Sequence, residues 1–146
     1  MPFEQLDFSF FFNYQLFPSA IMSSYSQWAA EGRAMAPGDT IVQQVQIPPL
    51  RLSPKIIMGV RIKQVLGQPG KIGYSYETLA GHVERGISTF TVEEVADLGI
   101  KFTIETFSEP ALLVGRLLAP VFTGPYQQYC TRQALKNMEA QIRTQF

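Results

Sequence analysis

Titratable residues concentrate in one stretch of the chain, residues 72–90. This stretch contains the single histidine of the sequence, His82, placed between two glycines, and it also contains Glu77 and Glu84. Histidine titrates near neutral pH, and a neighbouring carboxylate can orient the ring and fix its tautomer. The sequence therefore offers His82 as a candidate general acid or base, with Glu84 or Glu77 as its partner.

A structural interpretation competes with this catalytic one. Gly81 and Gly86 would supply positive φ angles for a turn, Thr78 and His82 would bond to backbone groups, and Arg85 would pair with a glutamate. A lone histidine without a serine or cysteine nearby is a weak catalytic signal. The sequence therefore favours a turn and leaves catalysis as the alternative.

Other chemical motifs are missing from the sequence. One histidine and scattered carboxylates do not supply the three or four ligands of a zinc site. There is no Gly-rich phosphate loop, nucleophile elbow or cysteine pair. Cys130 is the only cysteine, and a packed small hydrophobe is its expected role. We expect neither a metal nor a cofactor.

Length and composition indicate one globular domain over residues 1–146, with 46% hydrophobic and 16% charged residues. Twelve basic residues balance twelve acidic ones, so nothing favours binding to nucleic-acid phosphates. The apolar N-terminal run has no basic residue before it, and the apolar run at 111–122 is interrupted by Arg116 and Pro120. We expect no membrane span and a cytoplasmic protein.

Hydrophobic periodicity predicts an aromatic strand at the start of the chain, because residues 6–14 place Leu6, Phe8, Phe10, Phe12 and Tyr14 on one face. A helix with one buried face is predicted over residues 18–31, because apolar residues recur there at helical spacing, namely Phe17, Ile21, Tyr25, Trp28 and Ala29. Ile and Val content before Pro48-Pro49 then predicts a strand at residues 40–47. Period-2 alternation and Gly/Pro turns predict four more, at residues 55–66, 71–79, 86–95 and 100–107.

A helix is predicted to begin near Pro110 and to run over residues 110–118. Pro120 and Gly124-Pro125 should break it, and a second helical segment should run from Tyr126 to about Gln145. Strands grouped in sequence with helices at the ends predict an α+β fold. We expect a curved antiparallel sheet of six or seven strands around a long C-terminal helix.

The chain resembles the uncharacterised domain-of-unknown-function family numbered nineteen-ninety. The resemblance rests on a glycine–aromatic–tyrosine–threonine–leucine–glycine–histidine–glutamate–glycine pattern, met by Gly73, Tyr74, Tyr76, Thr78, Leu79, Gly81, His82, Glu84 and Gly86. Phe107-Ser108-Glu109-Pro110 is similar to a second family block. Many relatives have proline where this chain has Ala80 and Val83. The resemblance implies a START-like fold (birch-pollen-allergen-like, helix-grip) and no activity.

The leading functional hypothesis is a module that binds a small apolar or amphipathic ligand between the sheet and the C-terminal helix. The residues expected to line its cavity are Tyr74, Tyr76, Phe90, Phe102, Ile104, Leu113, Leu117 and Phe122. One alternative is a small enzyme that uses His82 with Glu84 or Glu77. Another is a structural or partner-binding protein without a cavity. The sequence leaves the oligomeric state open.

Overall fold

The computed structural model describes residues 2–19, 21–46, 55–80, 84–96, 99–110 and 127–146. These residues form a six-stranded antiparallel sheet in which each strand pairs with its neighbour in sequence. The strands are β1 (Met22–Ser26), β2 (Thr40–Gln46), β3 (Lys55–Gln68), β4 (Lys71–Thr78), β5 (Glu84–Val95) and β6 (Gly99–Pro110). The predicted α+β class and the five strands after residue 40 are confirmed.

One face of the sheet, the inner face, carries the apolar side chains of the alternating strands. Ile62, Tyr76 and Ser88 lie opposite one another on it, as do Tyr74, Phe90 and Ile104. A register shift between Ile62 and Gln64 marks a bulge, and such bulges increase the twist of a sheet. On each side of this bulge, the side chains of β3 point alternately to the inner and to the outer face.

The aromatic segment at the start of the chain is not a strand, so the strand prediction for residues 6–14 was wrong. It forms a 3-10 helix, Phe3–Gln5, and a short helix α1, Ser9–Phe12. The Asp7 carboxylate accepts a hydrogen bond from the Ser9 backbone N–H at 2.8 Å, which favours a helical turn. Adjacent residues Phe10 and Phe11 are both buried, which a strand with one buried face does not allow.

The helix prediction for residues 18–31 was also wrong over most of its length. Residues 22–26 form β1, and only Gln27–Ala30 form a helix, α2. Tyr25 was expected on a buried helical face, but it lies opposite Val42 in the sheet with 80% of its surface exposed. Backbone pairing with β2 therefore overrides the apolar spacing of the segment.

Pro110 is the last residue of β6, paired with Glu84, and does not open a helix as predicted. Proline is tolerated at this place because a strand at the sheet edge does not need every backbone N–H. The rest of the predicted helix over residues 110–118 lies outside the described residues. So do the predicted breaks at Pro120 and Gly124-Pro125.

The C-terminal helix α3, Gln127–Arg143, confirms the second predicted helical segment. It buries Ala134, Met138 and Ile142 against the core. None of the helices that the structure describes is both long and apolar enough to span a membrane.

Side chains of α3 hold the aromatic segment against the sheet. Asn137 Nδ2 donates to the Leu16 carbonyl oxygen at 2.9 Å. At the end of the helix, Asp7 and Gln145 exchange two hydrogen bonds. The Asp7 N–H donates to Gln145 Oε1 at 2.7 Å, and Gln145 Nε2 donates to the Asp7 carbonyl at 2.8 Å. The segment between residues 7 and 16 is thus fixed at both ends.

Candidate functional site

The centre of the inner face is a packed aromatic cluster. Three predicted cavity residues, Tyr74, Tyr76 and Phe90, are 2–8% exposed within it. Phe11 and Tyr14 of the aromatic segment pack directly on them, with ring centroids 4.9 Å apart for Phe11 and Tyr74 and 5.8 Å apart for Tyr14 and Tyr76. The space over these three residues is therefore occupied by the protein's own side chains.

The phenols of this cluster are satisfied by protein partners. Tyr14 Oη lies 3.0 Å from Tyr76 Oη and accepts a hydrogen bond from Gln43 Nε2 at 2.9 Å. Tyr74 Oη donates to the Phe11 carbonyl oxygen at 3.0 Å. Burial raises the pKa of Tyr14 and Tyr74 well above the ordinary value, and it also raises the pKa of Tyr76. All three remain neutral at physiological pH and act as hydrogen-bonding groups that fix the aromatic segment.

A cleft of about 370 Å³ lies beside this cluster, between β6 and the first turns of α3. It is lined by Ile104, Thr106, Gln128, Thr131 and Arg132. Ile104 is therefore a predicted ligand residue that does face open space, and its neighbour on the inner face, Phe102, packs partly buried against the core. Leu113, Leu117 and Phe122 lie outside the described residues.

The cleft combines one apolar wall with hydrogen-bonding groups and a cation. Thr106 Oγ1 lies 3.0 Å from Ser88 Oγ, so a pair of hydroxyls extends from the cleft toward the aromatic cluster. Arg132 is exposed, and its Nε is 3.4 Å from the Gln128 carbonyl oxygen. An apolar wall with a few convergent polar groups is typical of a site for an amphipathic small molecule.

Four of these lining residues were missed by the sequence interpretation. Thr106 continues the inner-face alternation of Ile104, and this was the signal that could have found it. Gln128, Thr131 and Arg132 share one helical surface by their spacing of three and four residues. That spacing alone does not reveal that the surface faces β6.

Two other depressions have comparable volumes. One, of about 470 Å³, lies at the bulge on the opposite, outer face, against Ser75, Thr89 and Thr91. The other, of about 500 Å³, lies near Asp7 and Gln145, whose polar groups bond to each other. The cleft at β6 differs from both because the sheet's inner face and α3 form its walls.

The motif around His82 is only partly within the described residues. Gly81 and His82 lie outside them, as does the Glu84 side chain. Thr78 Oγ1 accepts a hydrogen bond from the Gly86 N–H at 3.0 Å, so the predicted backbone bond of Thr78 is confirmed. Gly86 pairs with Ser108 inside β5, so the prediction that it supplies a positive φ was wrong.

Steric crowding explains why residue 73 is a glycine. A Cβ atom there would lie 2.5 Å from the Phe90 carbonyl oxygen, closer than real Cβ atoms come to any neighbour. The backbones of β4 and β5 therefore approach closely beside the aromatic cluster.

Glu77 lies on the outer face of β4, opposite Arg61. Its Oε2 is 3.5 Å from Lys63 Nζ, so it forms a surface ion pair. Within the ranges that the structure describes, no three His, Cys, Asp or Glu residues cluster in a way that could hold a metal ion.

Comparison with known proteins gives a family. Residues 9–137 match the family described as "Domain of unknown function (DUF1990)". A 65-residue segment is 34% identical to a UPF0548 protein of Deinococcus radiodurans, and the match covers 44% of this chain and 33% of that protein's length. No solved structure matches the chain.

Proposed function

The chain belongs to the DUF1990 family, and from that premise we propose that it is a binding module for a small amphipathic ligand held in the cleft between β6 and α3. The order of the six strands and the helix against their inner face support a helix-grip fold of the START-like kind. Folds of this kind hold ligands between sheet and helix, which is where the cleft lies.

The observation that carries the proposal is the composition of the cleft walls. Ile104 offers apolar surface, while Thr106, Thr131 and Gln128 offer hydrogen-bonding groups. Arg132 adds a guanidinium that can bind a carboxylate through two parallel hydrogen bonds. A ligand with a short apolar body and an anionic head would satisfy both walls.

Binding is favoured over catalysis by the state of the titratable groups near the cleft. Burial raises the pKa of the Tyr14, Tyr74 and Tyr76 phenols, so they stay protonated at neutral pH and are poorly suited to act as general bases. Glu77 lies on the other face of the sheet with Lys63. These placements support a role in holding a molecule, and they take Glu77 out of the catalytic alternative, whose other members, His82 and the Glu84 side chain, lie outside the described residues.

Native mass spectrometry of the freshly purified protein tests the proposal directly. We expect a small molecule that co-purifies in stoichiometric amount. Titration calorimetry with decanoate, an anionic amphiphile, provides a defined probe. Decanoate should bind the wild-type chain, and Arg132→Gln should weaken decanoate binding without weakening that of the uncharged decanol.

A matched pair of variants locates the site. Ile104→Trp should fill the cleft and abolish decanoate binding. Thr103→Trp places the same side chain at the adjacent position, on the outer face of β6, and should leave binding unchanged. Thermal unfolding checks that both variants are folded. Equal binding by the two variants, or no co-purifying molecule and no binding of either probe, would overturn the proposal.

A further inference from the structure

We infer that β6 pairs with β6 of a second copy of this chain, in an antiparallel register centred on Thr103. The two sheets would then join into one continuous sheet across a two-fold axis perpendicular to it. Inner face would meet inner face, because such an axis reverses strand direction and preserves the faces. The interface shares Ile104 with the cleft proposed above, but its argument and its test use no ligand.

The first observation is the edge itself. β6 is a twelve-residue strand, Gly99–Pro110, and it pairs along that length with β5. Among the ranges that the structure describes, no strand pairs with its other side. A long strand at the edge of a sheet presents unpaired backbone N–H and C=O groups to any partner of suitable shape.

The second observation is a ladder of alternating charge that runs across the outer face to this edge. Lys71 Nζ lies 3.8 Å from Glu93 Oε2, and Lys101 Nζ lies 3.7 Å from Glu93 Oε1. The ladder therefore reads positive, negative, positive over β4, β5 and β6. When Thr103 faces Thr103 of the second copy, Lys101 faces the second copy's Glu105. The ladder gains a negative fourth member, and the symmetry forms this pair twice.

The third observation is apolar surface along the same edge. Phe102 and Ile104 are only partly buried on the inner face. In this register, Phe102 of each copy lies opposite Ile104 of the other copy. Phe107 is 72% exposed on the outer face and would lie opposite Gly99, which has no side chain to obstruct the ring. Pairing would therefore cover apolar surface that the single chain leaves in water.

Neighbouring registers lack this complementarity. Centring the pair on Lys101 or on Glu105 places like charges directly opposite each other, which is unfavourable. Centring it on Phe102 or on Ile104 leaves Lys101 opposite Thr103 or Phe107. The charges therefore contribute more to the choice of register than to the affinity of the dimer.

Charge exchange between two variants tests the register. Lys101→Glu alone places Glu opposite Glu105, and Glu105→Lys alone places Lys opposite Lys101. Each variant should raise the dimer dissociation constant by about tenfold or more, measured by sedimentation velocity from about 1 µM to about 500 µM. An equimolar mixture of the two should recover the dimer, because both charge pairs are then complementary.

Arg143→Glu and Glu139→Lys change the net charge by the same amounts on the exposed end of α3 and should leave the wild-type dimer intact. A wild-type chain that stays monomeric over the whole concentration range would overturn the inference. So would a dimer that both edge variants leave intact, or a mixture that does not recover association.

Crosslinking tests the centre of the interface in a Cys130→Ser background. Directly opposed residues of antiparallel strands have Cα atoms about 4.5–5.5 Å apart, within the range for a disulfide. Thr103→Cys should therefore crosslink two copies on mild oxidation. Thr91→Cys, one strand further in and opposite Thr103, should not, because three strand spacings of about 4.8 Å separate the two copies. A failed Thr103→Cys crosslink, or equal crosslinking by both variants, would contradict the register.

Discussion

The inner face of the sheet has two regions that are filled in different ways. Over β4 and β5 the protein's own aromatic segment covers the sheet, and Phe11 and Tyr14 are 0% and 2% exposed. Over β6, Ile104 and Thr106 face a cleft, and the facing surface of α3 is polar. The comparison shows that the chain's own aromatic segment covers the first region, whereas among the described residues a cleft lies over the second.

The largest expected effect is on the filled region. Phe11→Ala should lower the free energy of unfolding by about 3–5 kcal/mol, because a fully buried ring leaves a cavity when removed. Phe12→Ala, at a partly buried neighbour in the same helix, should cost less than about 2 kcal/mol. Urea unfolding measures both. Equal losses of unfolding free energy in the two variants would mean that Phe11 does not cover the inner face of the sheet over β4 and β5.

Removing one hydroxyl from the filled region should have a smaller effect. Tyr14→Phe leaves Tyr76 Oη and Gln43 Nε2 without the Tyr14 oxygen, at a cost of about 1–3 kcal/mol for buried polar groups. Tyr25→Phe, at an exposed tyrosine, should change the free energy of unfolding by less than about 0.5 kcal/mol. Chemical denaturation of the two variants gives the difference. A neutral Tyr14→Phe would show that water reaches this region.

The loop before β2 contains an ion pair that should make the stability of the protein sensitive to acid. Arg33 Nη1 and Nη2 donate to the two Asp39 oxygens at 2.9 and 2.6 Å, and buried Met35 lies between these residues. The hydrogen bonds from Arg33 lower the pKa of Asp39 below its ordinary value of 3.8. The unfolded chain therefore takes up this proton first as the pH falls.

The stabilisation from this pair is fully present above pH 3.8 and is lost as the pH falls from there through the lower folded pKa of Asp39. Asp39→Asn should lower the free energy of unfolding at pH 7 by about 1 kcal/mol, at the low end for charged hydrogen bonds because Arg33 is 38% exposed. It should also flatten the acid limb of the stability profile. Thermal melts between pH 2 and pH 7 measure both. An unchanged acid limb would assign the acid sensitivity to other carboxylates.

The smallest effect should come from the cleft. Thr106→Val removes a hydroxyl bonded to Ser88 Oγ, as Tyr14→Phe removes one from the filled region. Water can replace the lost partner in the cleft, so the cost should be below about 0.5 kcal/mol. Thr103→Val, on the outer face of the same strand, is the matched control. A cost for Thr106→Val equal to that of Tyr14→Phe would erase the distinction between the two regions.

The strands after residue 40 could be predicted because most of them alternate in polarity and each pairs with its neighbour in sequence, whereas β2 was indicated by its Ile and Val content. Alternation within a few residues therefore carries most of the information needed. The aromatic segment could not be placed in this way. Phe11 breaks the alternation of this segment. The Asp7–Ser9 hydrogen bond that starts the helical turn is a local interaction that hydrophobic periodicity does not predict.

The candidate site was only partly predictable for a different reason. Tyr74, Tyr76 and Phe90 were predicted to line a cavity. They lie on the inner face under Phe11 and Tyr14, and no pattern in the sequence indicates that these two rings cover them. The cleft joins Ile104 to Arg132 across a long separation in sequence. Which surface of α3 meets β6 depends on the packing of the whole domain. The sequences of β6 and α3 taken separately do not contain this information.

The two hydrogen bonds between Asp7 and Gln145 join residues 138 positions apart, and this has a consequence for the order of assembly. A ribosome releases residue 7 long before residue 145 exists. The aromatic segment is therefore made before α3, although its final position depends on contacts with α3 and Gln145. Until α3 arrives, a run of phenylalanines remains without its partner and is open to wrong contacts. Contacts between such distant residues also slow folding. The aromatic segment therefore reaches its final position only after residue 145 has been synthesised.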